Sequence, residues 1–158
     1  MGIEIERKYL VNREKWDQVV KNEKSLFRQG YILSDPEKTI RVRLADTEAF
    51  LTIKGLSIGA SRPEFEYSIP KEDAQQLLDN FCGSEISKIR YFITHNGNLW
   101  EVDEFLGQNE GLIVAEIELG SEDEEFSLPA WIDKEVTCEK KYSNSNLAVE
   151  PYRSWNRH

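Results

Sequence analysis

Charged residues recurring at every second position carry the chemistry legible in this chain. Glu4, Glu6 and Lys8 alternate with Ile3, Ile5 and Tyr9, and Arg41 and Arg43 alternate with Ile40, Val42 and Leu44. Glu64 and Glu66 flank Phe65, Lys88 and Arg90 flank Ile89, and Glu116 and Glu118 alternate with Ala115, Ile117 and Leu119. In an extended strand, side chains at i, i+2 and i+4 share one face, so each segment turns its charges the same way. One such strand is ordinarily a solvated face. Five together predict a sheet that curls with its charged face inward, around a tunnel lined by carboxylates and cations.

If that sheet closes, the inward acids are Glu4, Glu6, Glu64, Glu66, Asp103, Glu116 and Glu118, and the inward bases are Lys8, Arg41, Arg43, Lys54, Lys88 and Arg90. Carboxylates at i and i+2 share a hard divalent cation, and Mg²⁺ favours a few such oxygens plus waters and substrate phosphates. Guanidinium forks grip phosphate oxygens and lysine acts as a compact point charge. The mixed lining therefore suits a linear polyphosphate carrying metal. A barrel locked by internal ion pairs and holding no ligand is the structural alternative, but such a network returns little stability compared with apolar packing.

The absences narrow the chemistry. No glycine-rich loop is followed by Lys and Ser or Thr, so side chains rather than a backbone nest must bind phosphate. His95 sits beside the Asn96-Gly97 turn and His158 at the terminus, which gives little support to a Ser-His-Asp triad or a His-ligated zinc.

The elements that must position these residues follow from the periodicity. Eight strands are predicted over about 3–10, 26–33, 38–45, 48–55, 63–69, 86–95, 98–106 and 112–119. Asp35-Pro36 and the hairpin signal Asn96-Gly97 make neighbours mostly antiparallel. Asn12 is positioned to cap a helix carrying Trp16, Val19 and Val20. Lys71 to Cys82 places Ala74, Leu77, Leu78 and Phe81 on one stripe, with Gly83 stopping it. These stripes require the outward apolar faces of the strands as their partner surface. A shorter helix is predicted from Ser121 to Phe126, where Ser121 and Glu124 have capping-box spacing, and another after Asn144 near Leu147 and Ala148.

The 158 residues are most simply one domain, 1–158, and 39% hydrophobic with 31% charged residues fits a soluble protein. Met1 leads directly into a strand, and no apolar run is long enough to span a bilayer, so a cytoplasmic location is expected and no membrane partner. Cys82 and Cys138 lack paired-thiol spacing and read as reduced thiols. A net charge of −9 disfavours nucleic acid as a partner.

Glu4-Ile5-Glu6-Arg7-Lys8 resembles the ExExK signature of the CYTH, or triphosphate tunnel metalloenzyme, superfamily. The resemblance continues through Gly30-Tyr31, Arg41-Val42-Arg43, Thr52-Ile53-Lys54-Gly55, Glu64-Phe65-Glu66-Tyr67, Lys88-Ile89-Arg90-Tyr91, Trp100-Glu101-Val102-Asp103 and Ala115-Glu116-Ile117-Glu118-Leu119. It extends to Glu135-Val136-Thr137 and Lys141-Tyr142-Ser143-Asn144, and so covers nearly the whole chain.

The resemblance implies an α+β fold built on an eight-stranded antiparallel tunnel barrel with flanking helices, processing a small triphosphate with Mg²⁺ or Mn²⁺. By motif position Glu4, Glu6, Glu116 and Glu118 hold metal, with Asp103 and Glu64 or Glu66 assisting. Lys8, Arg41, Arg43, Lys54, Lys88 and Arg90 grip the phosphates, and Lys8 with Tyr31 occupies the positions of a proposed catalytic pair, beside Glu4 and Glu118. The compact length resembles the small bacterial inorganic triphosphatases, so the expected reaction is hydrolysis of tripolyphosphate to pyrophosphate and phosphate. The family also implies two alternatives: a class IV-type adenylyl cyclase, with Phe27 or Tyr91 as generic adenine contacts, and a thiamine triphosphatase, with Trp100, Trp131 or Trp155 as an aromatic platform. A non-catalytic polyphosphate-binding module is the remaining class. Many small members resemble homodimers, but no interface is legible here, and Glu150 to His158 reads either as a cover over one tunnel mouth or as a tail.

Overall fold

A computed structural model describes residues 2–155. Its elements run β1 (Gly2–Val11), α1 (Arg13–Trp16), β2 (Glu23–Asp35), β3 (Lys38–Ala45), β4 (Glu48–Gly55), β5 (Ser61–Ile69), α2 (Lys71–Phe81), β6 (Ser84–His95), β7 (Asn98–Phe105), β8 (Ile113–Glu118), β9 (Ile132–Glu135) and α3 (Asn144–Val149). His158 lies outside the described residues.

The tight turns follow their local chemistry. Asn96 and Gly97 both take positive φ, 49° and 82°, as a two-residue hairpin turn between β6 and β7 requires. Between β2 and β3 the Asp35 carboxylate accepts the Glu37 amide at 2.9 Å, which fixes the reversal.

All strand pairings are antiparallel. The order β5-β4-β3-β2-β6-β7-β8-β1 closes on itself because the first half of β1 returns to β5, from Gly2 opposite Glu64 to Ile5 opposite Ser61. The result is the expected eight-stranded barrel. β9, which the periodicity missed, pairs with β1 only at Tyr9 and Val11. Its sequence Ile-Asp-Lys-Glu has no apolar alternation to announce a strand. In a ring of eight, strands four places apart face each other across the lumen. β1 therefore faces β2, and β3 faces β8.

The apolar faces point outward and are covered from outside. Tyr9, Trp100, Ala115 and Ile117 on the outer wall pack with Trp16 of α1 and with Trp131, whose ring meets those of Trp16 and Trp100 edge to face at 5.1 and 6.0 Å. α2 lays Ala74 and Leu78 on Val42 and Ala49. Gly30 makes that approach feasible: a Cβ there would stand 2.9 Å from Cys82 Cβ and 3.0 Å from Leu78.

Three helix expectations are corrected. α1 spans one turn and omits Val19 and Val20; Asn12 caps it as expected, at 3.0 Å from the Lys15 amide. The Lys21 ammonium takes the carbonyls of Trp16 and Val19, at 2.6 and 3.1 Å, so the Trp16 carbonyl is not left to a continuing helix. α2 ends at Phe81, because Cys82 is already extended. Ser121 to Phe126 forms a turn rather than a helix; the Glu124 carboxylate accepts the Gly120 amide at 2.6 Å without a following helical run.

The lumen face changes character along its length. Beyond the charged residues, Leu10, Ile86, Phe105 and Val114 continue the inward rows, and they pack with Leu147 of α3. That end is plugged. Residues 150–155 belong to the plug: Trp155 stacks edge to face on Tyr142 and Tyr152, and the Tyr152 amide donates to Asn109 at 2.8 Å.

Candidate functional site

The lumen encloses a cavity of about 190 Å³ lined almost wholly by polar side chains, space for on the order of six waters. Glu4, Glu6 and Lys8 of β1, Tyr31 of β2, Arg41 and Arg43 of β3, Lys54 of β4, Glu64 and Glu66 of β5, Arg90 of β6, and Glu116 and Glu118 of β8 all border it. Lys8 and Tyr31 reach it from opposite strands, as do the arginines of β3 and the glutamates of β8.

Much of the lining is cross-paired. Lys54 lies 3.0 Å from Glu4 and 3.5 Å from Glu64, Lys8 is 3.4 Å from Glu116, and Arg41 is 3.4 Å from Glu66. Arg90 contacts Asp103, Glu101 and Glu116 at 2.8, 3.3 and 3.2 Å. Burial opposes ionisation of Glu116, but Lys8 and Arg90 outweigh it and bring the carboxyl down to about 2.

Two groups of charges are left over. Arg43 has no carboxylate partner among the described residues: its Nε donates to Gln29 Oε1 at 2.9 Å and its guanidinium lies 4.5 Å from the Phe27 ring centre. Burial, with Arg41 and Arg90 nearby, draws it down to about 9. Arg41 Nε is buried with no hydrogen-bond acceptor. Across the lumen, Glu6 and Glu118 are neighbours on adjoining strands and neither has an ion-pair partner among the described residues. Burial, then Glu116 and Glu4, pushes Glu6 up to about 8, and burial with Glu4 and Glu64 raises Glu118 and, through Glu4, Glu64. A buried, unsatisfied guanidinium edge fits an anion, and an unneutralised row of carboxylates fits a cation. Among the described residues no three acids are drawn into a closed metal cage. An open row is the arrangement an ion sharing its shell with phosphate and water requires.

Two expected lining residues sit elsewhere. Both Asp103 oxygens are taken: Oδ1 accepts from Arg90 Nε at 2.8 Å and Oδ2 from Lys88 Nζ at 2.7 Å. Burial disfavours its charge, but Arg90 and Lys88 hold it well below the ordinary range. Asp103 is thus turned to these two cations and does not border the cavity. Lys88 is fully buried behind the cavity wall, bonded to Asp103 and, at 2.8 Å, to Asn144 at the start of α3. Burial draws Lys88 down to about 7 despite Asp103 beside it.

Other lining residues escaped the sequence reading. Arg62 and Glu101 border the cavity and were legible, since Arg62 continues the Glu64-Glu66 alternation and Glu101 that of Asp103. Thr39 and the Ser143-Asn144-Ser145 segment also border it, and nothing local signals this for the α3 residues. Trp100 and Trp131 are buried in the outer core, and Trp155 belongs to the plug.

Among the described residues no helix is long and apolar enough to cross a membrane. Known proteins bear out the family suggested by the sequence. The chain is 46% identical over 156 residues to an inorganic triphosphatase of Acetivibrio thermocellus, covering 98% of this chain and 99% of that one. It is 36% identical over 151 residues to an inorganic triphosphatase of Nitrosomonas europaea, covering 92% and 97%. The crystal structure of the inorganic triphosphatase NE1496 superposes with a TM-score of 0.64 at 33% identity, covering 92% of this chain and 97% of that one. With residues 2–149 matching the CYTH domain model as well, this chain belongs to the CYTH domain family.

Proposed function

We propose that the protein is a metal-dependent inorganic triphosphatase that hydrolyses tripolyphosphate to pyrophosphate and phosphate inside the lumen. One observation carries the reading: Arg43 and the unpartnered Nε edge of Arg41 on β3 stand opposite the unpaired Glu118 of β8, beside which lies the unpaired Glu6 of β1. An anion alone would be repelled by the acids and a cation alone by the arginines. A polyphosphate carrying Mg²⁺ or Mn²⁺ satisfies both.

Arg41, Arg43, Lys54, Arg90 and Lys8 bind phosphate oxygens, and Lys88 acts behind them through Asp103. Glu4, Glu6, Glu116 and Glu118, with Glu64 and Glu66 nearby, would hold the ion. Bound there, a divalent ion supplies neutralisation of phosphate charge and activation of water. The chain's own residues position the substrate for in-line attack on a terminal phosphorus, with pyrophosphate leaving, and the cationic wall stabilises charge on the equatorial oxygens. Lys8 and Tyr31 approach from opposite walls and donate to phosphoryl oxygens as the bond breaks.

The small cavity suits a bare triphosphate. A cyclase or thiamine triphosphatase needs an aromatic seat, and Tyr31 is the one aromatic side chain among the described lining residues. The acids argue against a passive polyphosphate receptor. We further take residues 1–158 as one domain acting in the cytoplasm, in keeping with the free thiols of Cys82 and Cys138.

The test is phosphate release from tripolyphosphate, ATP and thiamine triphosphate with Mg²⁺, Mn²⁺ or EDTA, with cyclic AMP followed in the ATP sample. Rapid metal-dependent turnover of tripolyphosphate and slow ATP hydrolysis is expected. Cyclic AMP formation, or silence on every substrate, would overturn the reading.

A further inference from the structure

Gln29 is completely buried on the lumen face of β2, between Phe27 and Tyr31. Its amide makes two bonds. Oε1 accepts from Arg43 Nε at 2.9 Å, and Nε2 donates to the Tyr31 hydroxyl at 3.2 Å. A guanidinium only donates, so Arg43 dictates which end of the amide is the oxygen. The NH₂ end is then forced toward Tyr31, whose oxygen accepts. The phenolic proton is left to donate elsewhere, and Tyr31 borders the cavity.

The neutrality of this holder matters as much as its geometry. Arg90 is held by carboxylates and Arg41 reaches Glu66, so part of their charge is cancelled in place. Arg43 is held by an amide and by the Phe27 ring, at 4.5 Å, groups that fix a guanidinium without neutralising it. A glutamate would fit the same space and make the same bond to Arg43. It would also cancel the charge and accept the Tyr31 proton.

We infer that Gln29 is a positioning residue that holds Arg43 and Tyr31 so that an unneutralised guanidinium and a phenolic proton both face the phosphate oxygens of the substrate. This rests on the triphosphatase reading above and deepens it. Its consequence is a conflict between stability and binding at one position: the carboxylate favours the empty fold and the amide favours the bound one.

The experiment compares wild type, Gln29→Glu and Gln29→Met by thermal melting in EDTA and by the KM and kcat for tripolyphosphate with Mg²⁺ present. Gln29→Glu is expected to melt above wild type while its KM for tripolyphosphate rises on the order of tenfold to a hundredfold, as for loss of one charge-assisted contact. Gln29→Met is expected to melt below wild type, since it strands Arg43 Nε. A Gln29→Glu protein that melts no higher and keeps the wild-type KM would overturn the proposal, because a purely structural glutamine predicts that pattern. If Gln29→Glu does not fold, Gln29→Met carries the test: its rise in KM should shrink when Arg43 is also replaced by Gln, and full additivity overturns the proposal. Failure of the wild type to bind or hydrolyse tripolyphosphate would sink the functional reading instead, while the melting shift of Gln29→Glu would still decide how Arg43 is held.

Discussion

Glu6 on β1 and Glu118 on β8 are direct cross-strand partners, so two carboxylates of like sign stand side by side on the lumen wall. Such pairs destabilise a sheet. Both carboxyls are held with raised proton affinity by their other surroundings: Glu6 is carried up to about 8 by burial, Glu116 and Glu4, and Glu118 is raised by burial with Glu4 and Glu64.

The first prediction concerns the metal-free protein. A carboxyl whose folded pKa lies above its unfolded value makes the native state bind more protons, so stability falls as pH rises from the ordinary carboxylate range toward 8 and levels off above it. Melting in EDTA should show this decline, and Glu6→Gln should flatten it. Each kcal/mol relieved corresponds to about 2–4 °C. Mg²⁺ or Mn²⁺ should raise the melting temperature of wild type at pH 8 more than that of Glu6→Gln; an equal rise in both would remove Glu6 from the metal site.

Replacing Glu118 by Gln should separate function from fold. The side chain is exposed and carries no ion pair among the described residues, so the metal-free melting temperature should hold or rise slightly. Turnover of tripolyphosphate should fall by about 100-fold or more, the usual cost of removing one preorganised electrostatic group. Full metal-dependent turnover in this variant, or in Glu4→Gln, would refute the assigned roles.

Arg43→Gln removes a buried cation that the folded chain does not neutralise. Its kcat/KM for tripolyphosphate should drop by about 100-fold, while its melting temperature in EDTA should not fall. Arg43→Lys should restore little, because an ammonium reproduces neither the Nε contact to Gln29 nor a forked grip on phosphate. Steady-state kinetics and melting on the same samples decide the matter.

Asp103→Asn should behave in the opposite way. It leaves Lys88 and Arg90 short of their common buried counter-charge, a loss of about 3–5 kcal/mol, and so lowers the melting temperature by about 10 °C. Because Lys88 and Arg90 hold Asp103 below its unfolded value against the effect of burial, its contribution is complete above the ordinary aspartate range and is lost as pH falls through and below it. Acid unfolding of wild type and Asp103→Asn should therefore converge at low pH. An Asp103→Asn protein of wild-type stability that had lost only its metal response would restore the residue to the metal row.

The strands of the barrel were readable because each carries its own alternation, as in Arg41-Val42-Arg43 and Glu116-Ile117-Glu118. Turns were readable where local chemistry imposes them, as at Asn96-Gly97. β9 was not, because Ile132 to Glu135 owes its extended form to the edge of β1. The helix expected after Asn12 stopped at Trp16, where the Lys21 ammonium reaches back to the Trp16 carbonyl and, beyond the helix, to that of Val19.

The sequence by itself determined which face of each strand is charged, the acidic and basic inventory of the lining, and the family to which they point. It did so because strand alternation is a local property, written every second residue. Only the tertiary structure decided how those charges divide. Closure of β1 on β5 set the β3 arginines opposite the β8 glutamates, buried Lys88 and Asp103 behind the wall as a pair, and brought Asn144 of α3 onto Lys88. Whether a charge is spent on a neighbour or kept for a ligand depends on distances across the barrel, and those exist only once the ring is closed.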